Sequence, residues 1–200
     1  TIRIGLTGDG RLCLHQGAVD IGQGSNTVIP QIAADALGLP LAQFQIIGAD
    51  TALTPDCGKT SGSRQTYVTG SAALRAGRAL RALILKQTNM GPEAVLRLDG
   101  TVLHVSDGER EQRIDLADLS EQAHGYVLCA EESYDPPTQP LDEDGQGVPY
   151  AVYGYGAQLV ELSVDMRLGT VKVHRITAAH DLGRVINPQL AEGQVEGSIA

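Results

Sequence analysis

No stretch of about 18 consecutive apolar residues occurs in the chain, so nothing in it reads as a membrane-spanning helix. The first residues also lack the charged, apolar and small-residue regions of a secretory leader, and the expectation is a soluble, cytoplasmic protein. A basic stripe is missing as well. The net charge is −9 and spread along the sequence, which leaves nothing to displace counterions from phosphodiesters and excludes a nucleic-acid partner. Cysteine is scarce: Cys13, Cys57 and Cys129 are odd in number, far apart and never form C-x-x-C, which argues against a zinc ribbon or a disulfide framework. The histidines at 15, 104, 124, 174 and 180 show no metal-ligand spacing, so no protein-ligated metal is expected. The common nucleotide cradles are absent too, with no G-x-x-x-x-G-K-[ST] and no G-x-G-x-x-G followed by an acid roughly twenty residues on.

What is present is the composition of a folded globular chain, with 42% hydrophobic residues and 24 glycines. Ile2, Ile4 and Leu6 alternate, Gly8-Asp9-Gly10 turns, and Leu12 and Leu14 return, which is a β-hairpin. Past "DIGQGS" the period becomes helical, with Val28, Ile32, Ala36 and Ile29, Ala33, Leu37 spaced by four, and Gly38 is a natural stop. Pro30 in that pattern predicts a late start capped by Asn26 or Thr27, or a kink. A short strand over 44–47 leads into a polar loop, and helix resumes near Arg64. On that helix Arg75, Arg78 and Arg81 share a wet face, while Gly70 and Gly77 predict close approach of another backbone.

Further on, "VLRLDGTVLHV" reads as a type I′ hairpin at Asp99-Gly100, a third strand lies at Arg113-Ile114, and Asp115 caps a short helix. "EESYDPPTQPLDEDGQG" is an exposed loop, with an interdomain linker as the alternative. Val160, Leu162 and Val164 pair with Val171 and Val173 in a last hairpin, and a helix follows Pro188. The expected class is α+β, two layers with helices on a mixed or antiparallel sheet. Two subdomains are expected, 1–90 with the first hairpin, the glycine loop and helices, and 91–200 with the remaining strands, the acidic loop and the start of the last helix. Both ends fall inside periodic patterns, so a fragment of a longer polypeptide is expected.

Two glycine-bracketed polar stretches stand out, "GQGSN" at 22–26 and "KTSGSRQT" at 59–66, each opening a helix. The first amides of a helix are unpaired and lie at the positive end of its dipole, so an anion is the expected guest. The pentapeptide alone leaves open a plain glycine turn with a capped helix, and glycines that serve only packing. Convergence of the two stretches on one polyanionic ligand would make a non-catalytic module for a phosphorylated ligand one reading.

"DIGQGSNTVIPQIAADALGLP", "GADTALTPDCGKTSGSRQTYVTGSA" and "HDLGRVINPQLAEGQVEG" resemble, in order and spacing, three motifs of the molybdenum-cofactor-binding subunit of the xanthine dehydrogenase and aldehyde oxidase family. The resemblance implies a molybdenum hydroxylase that oxidatively hydroxylates an aldehyde or N-heterocycle carbon with water as oxygen source. Carried over by motif, Gly22, Gln23 and Gly24 contact the molybdopterin dithiolene and its phosphate. Gly62, Ser63, Arg64 and Gln65 form the loop holding the cofactor near the metal, with Gly62 beside the substrate, and Gln194 hydrogen-bonds the cofactor close to molybdenum. The cytosine dinucleotide form is the one expected. The metal is held by the cofactor's sulfurs, not by side chains. Iron–sulfur clusters and flavin belong to partner subunits or domains. The general-base glutamate of the family lies in a motif beyond residue 200, so no catalytic residue is expected within this chain and no turnover by it alone. Glu192 and Glu196 read as solvated carboxylates of the glutamine motif.

Overall fold

The computed structural model describes residues 1–62 and 64–199. The chain forms two compact units, Thr1–Asp135 and Pro136–Ala200. The boundary falls inside the acidic, proline-rich segment, where the linker reading put one. Residue 90 lies within the first unit instead, and the strands after it share one apolar cluster with the helices before it: Leu96, Leu103 and Leu116 with Leu80 and Ile84.

In the first unit β1 (Ile2–Leu6) and β2 (Leu12–Gln16) form the expected hairpin. α1 (Ser25–Leu37) then crosses over to β3 (Phe44–Gly48), which pairs parallel with β2. A π-helical turn (Gln65–Thr69) runs into α2 (Gly70–Thr88). β4 (Val95–Asp99), β5 (Val102–Ser106) and β6 (Glu111–Asp115) make an antiparallel meander. β7 (Leu128–Glu132) returns to the first sheet beside β1, giving the order β3-β2-β1-β7. Alternation along these strands sends Ile2, Ile4, Leu6, Leu12 and Leu14 to one face, all buried at 1% exposure or less, where Ile29, Leu37, Leu80 and Ile84 of the two helices meet them. This is the expected α+β arrangement, helices over a mixed sheet.

The helices approach closely through glycine. A Cβ at Gly77 would lie 2.8 Å from Ala36 Cβ and 2.9 Å from the Ala33 carbonyl oxygen, and one at Gly70 would meet Ile32 Cδ1 at 2.8 Å. Gly38 ends α1 in the left-handed region, with its N–H on the Ala34 carbonyl at 2.8 Å.

Several local expectations need correction. α1 starts at Ser25, directly after Gly24, and Pro30 sits inside it, so neither Asn26 nor Thr27 is the cap. The hairpin loop between β4 and β5 is Gly100-Thr101, and only Gly100 of the pair has positive φ, which rules out type I′. Arg81 is not a wet-face residue: its guanidinium donates to the carbonyls of Leu37, Pro92 and Ala94.

In the second unit β8 (Tyr155–Asp165) and β9 (Thr170–Asp181) form the last hairpin and α3 (Pro188–Ile199) follows. Among the described residues no helix is long and apolar enough to cross a membrane, and no three His, Cys, Asp or Glu side chains gather as metal ligands.

Candidate functional site

Because β2 and β3 are parallel and in register, the segments leaving their carboxyl ends run side by side, and both lead into helices. That edge of a parallel pair is where open α/β sheets place ligands. The two glycine stretches lie on those two segments. Cross-links tie the segments together in sequence. His15 Nδ1 donates to the Leu53 carbonyl at 2.8 Å. Next, Gly17 N–H reaches Cys57 Sγ at 3.2 Å, where a Cβ on Gly17 would lie 2.6 Å from the Pro55 carbonyl oxygen. Last, Val19 N–H donates to Thr60 Oγ1 at 3.2 Å while the same hydroxyl donates to the Val19 carbonyl at 3.3 Å.

Thr60 thereby becomes a hub. Its hydroxyl also accepts from Gln65 Nε2 at 3.1 Å, and Gln65 Oε1 in turn accepts from Thr69 Oγ1 at 3.1 Å inside the π-helical turn that leads into α2. Gln65 is 7% exposed, so its amide is spent on fixing the loop to the helix start. Gly22 and Gln23, on the first segment, and Gly62 and Arg64, on the second, are thus brought to one end of the sheet. A Cβ at Gly22 or Gly62 would have no atom within 4 Å, and both have positive φ, +105° and +55°. Those two stretches of backbone are bare. Arg64 Nε and Ser25 Oγ are buried without a partner.

The helix-terminus argument for an anion meets an internal competitor. Asp20 accepts the N–H groups of Gly22 at 2.9 Å, Gly24 at 3.3 Å and Asn26 at 2.9 Å, so the chain's own carboxylate stands at the start of α1. The backbone donors at Asn26 and Gly22 hold that carboxyl below its ordinary range. Gln23 folds back as well: its amide nitrogen donates to the Val19 carbonyl at 3.0 Å and its oxygen accepts from Ile21 N–H at 2.7 Å.

Gln194 lies on α3 in the second unit, exposed, as are Glu192 and Glu196. Ser63 lies outside the described residues. Asp20 and Thr60 carry the geometry of the site yet were not singled out from the sequence. An aspartate just ahead of G-x-G was a usable signal, since its side chain can reach backbone N–H groups two residues on; the role of Thr60 depends on parallel pairing and left no mark.

Comparison with known proteins identifies the family. The family described as molybdopterin cofactor-binding domain matches residues 1–200. A putative xanthine dehydrogenase molybdenum-binding subunit of Escherichia coli (strain K12) is 33% identical over 98% of this chain and 26% of its own length. The aldehyde oxidoreductase molybdenum-binding subunit of the same organism is 30% identical, covering 98% of this chain and 25% of its own. Among solved structures, reconstituted CO dehydrogenase from Oligotropha carboxidovorans superposes with a TM-score of 0.70 at 26% identity, over 98% of this chain and 24% of that one. Matched along its whole length, the chain belongs to the molybdopterin cofactor-binding domain family, the molybdenum-binding part of xanthine dehydrogenases and aldehyde oxidoreductases.

Proposed function

We propose that the chain is the cofactor-holding part of an enzyme that oxidatively hydroxylates an aldehyde or an N-heterocycle carbon, with water as the source of oxygen. The observation that carries this reading is the meeting of two bare glycine segments at the carboxyl ends of β2 and β3, joined through Thr60. The relatives named for xanthine and aldehyde oxidation point to the same reaction class. The chain spans about a quarter of the length of those relatives, so the activity is proposed for the whole protein.

The residues fit such a group. Positive-φ glycines with open space beside them let a flat ligand approach the backbone, and the unpartnered Arg64 Nε and Ser25 Oγ are polar groups a bound ligand would satisfy. Gly22, Gln23 and Gly24 are assigned to the molybdopterin dithiolene and phosphate. Gly62, Ser63, Arg64 and Gln65 are assigned to the loop beside the metal, and Gln194 to a hydrogen bond near it. When bound, the cofactor supplies the two-electron and oxygen-transfer chemistry of molybdenum, ligated by its own sulfurs. The protein's part is to bind and orient it, which requires Gln23 to exchange its bonds to Val19 and Ile21 for the ligand. The general-base glutamate is assigned outside residues 1–200, and the isolated chain is expected not to turn over. A cytosine dinucleotide form, iron–sulfur and flavin partners, and a cytoplasmic setting complete the reading.

A non-catalytic module holding a phosphorylated ligand on two helix N-termini is disfavoured, because relatives matching nearly the whole chain are named as molybdenum-binding subunits of a dehydrogenase and an oxidoreductase. Turnover of the intact protein in 18O-labelled water tests the reaction class. Label in the hydroxylated product is expected; label drawn from dioxygen, or none, overturns the reading.

A further inference from the structure

The loop that opens α1 is built around one carboxylate. Gly24, the residue before the helix, has left-handed geometry at φ 80°, ψ 20° and makes no side-chain cap. The capping comes from Asp20, four residues earlier, whose Oδ2 accepts the N–H of Asn26 while Oδ1 accepts those of Gly22 and Gly24. Every second amide from 22 to 26 therefore turns toward Asp20. Both glycines are held in conformations that side-chain-bearing residues rarely adopt, and three charge-assisted bonds to one carboxylate fix them there without any ligand. Beneath the loop, Gln16 Nε2 holds the Asn26 side chain at 2.6 Å, so the far end of the Asp20 network is anchored to the last residue of β2. Beside it, Thr60 anchors the near end at Val19. The loop is gripped at both ends and shaped in the middle by Asp20, which takes three of its amides, with Gln23 closing the turn on Val19 and Ile21.

Resting on the reading of the previous subsection, we propose that Asp20 is a positioning residue for molybdopterin: its carboxylate preforms the 20–26 loop so that the bare backbone at Gly22 is held ready for the cofactor. Asp20 itself does not touch the ligand. A preformed loop spares the ordering cost that binding would otherwise meet, so its loss is felt more in cofactor retention than in the fold.

The test uses the intact protein from a host competent for cofactor assembly, as wild type and as Asp20→Asn, Asp20→Ala and Asp20→Glu. Molybdenum and pterin per chain are measured after purification, then pterin release is followed over time, with the thermal unfolding midpoint recorded alongside. Asp20→Asn is close in size and keeps the experiment readable if the alanine variant does not fold. The expected result is pterin release about tenfold faster for the asparagine and alanine variants, from the loss of bonds to a charged acceptor. The midpoint should fall by no more than the few degrees that a lost helix cap costs, and Asp20→Glu should recover most of the retention. Release at the wild-type rate from a loaded variant overturns this inference alone. Loss of cofactor in all three variants together with a midpoint lowered well beyond that marks a folding role and overturns it as well. Wild-type protein devoid of molybdenum and pterin contradicts the reading beneath it instead.

Discussion

At the end of β2 a single imidazole carries two bonds that its neutral form can make together. His15, 5% exposed, donates from Nδ1 to the Leu53 carbonyl and accepts at Nε2 from the Tyr126 hydroxyl. Burial pushes its pKa below the ordinary 6.5, against the opposing pull of the Leu53 carbonyl, and burial pushes the Tyr126 hydroxyl up, so the tyrosine remains a donor. The folded state therefore binds this proton less readily than the unfolded chain. The stabilisation is fully present above pH 6.5 and is lost as pH falls from there through the lower folded value. Asp20 follows the same sign in a separate, more acid window, its contribution lost as pH falls below 3.8 through its lowered value. Thermal unfolding of the intact protein between pH 7.5 and 5 should show the first loss, and His15→Gln, which keeps an amide donor for Leu53 and cannot titrate, should flatten the profile; an equally steep variant contradicts the assignment. Side-chain roles of this kind were only partly legible. The motifs marked Gln23 and Gln65, but not what the folded chain does with them: Gln23 turns onto the Val19 carbonyl four residues back, and Gln65 is buried on Thr60, whose own place is set by a bond to Val19 across the two segments.

At the scale of elements, periodicity was a good guide where a face is buried and silent where pairing decides. The first hairpin, α1 to Gly38, the β4–β5 pair and the last hairpin all follow from period 2 or 3.6. The parallel pairing of β3 with β2, on which the site rests, has no such signature, because alternation fixes a face and not a neighbour. β7 escaped notice since Leu128–Glu132 is short and ends on two acids at a sheet edge, and its place is set by pairing with β1. Pro30 was expected to delay α1. The helix nevertheless begins at Ser25, where Asp20 satisfies its early amides and the buried face from Val28 to Leu37 outweighs one absent N–H. Of the two glycines of α2, Gly77 meets another backbone as expected, whereas Gly70 meets the Ile32 side chain. Alanine at Gly77 would gain about 1 kcal/mol in an isolated helix, yet here its Cβ must displace the Ala33 carbonyl and the Ala36 methyl. Overpacking of about 1–3 kcal/mol dominates, so Gly77→Ala should lower the thermal midpoint. A raised midpoint would mean that α1 and α2 are not packed this closely.

At the scale of the whole molecule the two units differ in kind. The first has a continuous apolar core from Ile2 to Leu128. In the second, Val160, Leu162 and Val164 of β8 share a face with Val171, Val173 and Ile176 of β9, and all six are exposed by 39% or more. A lone hairpin is marginal in water, so the second unit carries far less packing of its own than the first. The three motifs were legible from sequence across both units. The boundary at Asp135 was legible only as the less favoured reading of an acidic, proline-rich segment, since low hydrophobicity marks a loop without saying what it separates.

The measurement that bears most directly on the site is the molybdenum and pterin content of the intact protein purified from a host competent for cofactor assembly, as wild type and with the Thr60 hub altered. About one molybdenum and one pterin per chain are expected for the wild type and for Thr60→Ser, and a clearly lower content for Thr60→Val, whose loss of the bonds to Val19 and Gln65 costs about 0.5–1.5 kcal/mol each. Wild-type protein free of both, or a valine variant that holds them as tightly as the wild type, would contradict a cofactor site formed by the two glycine segments.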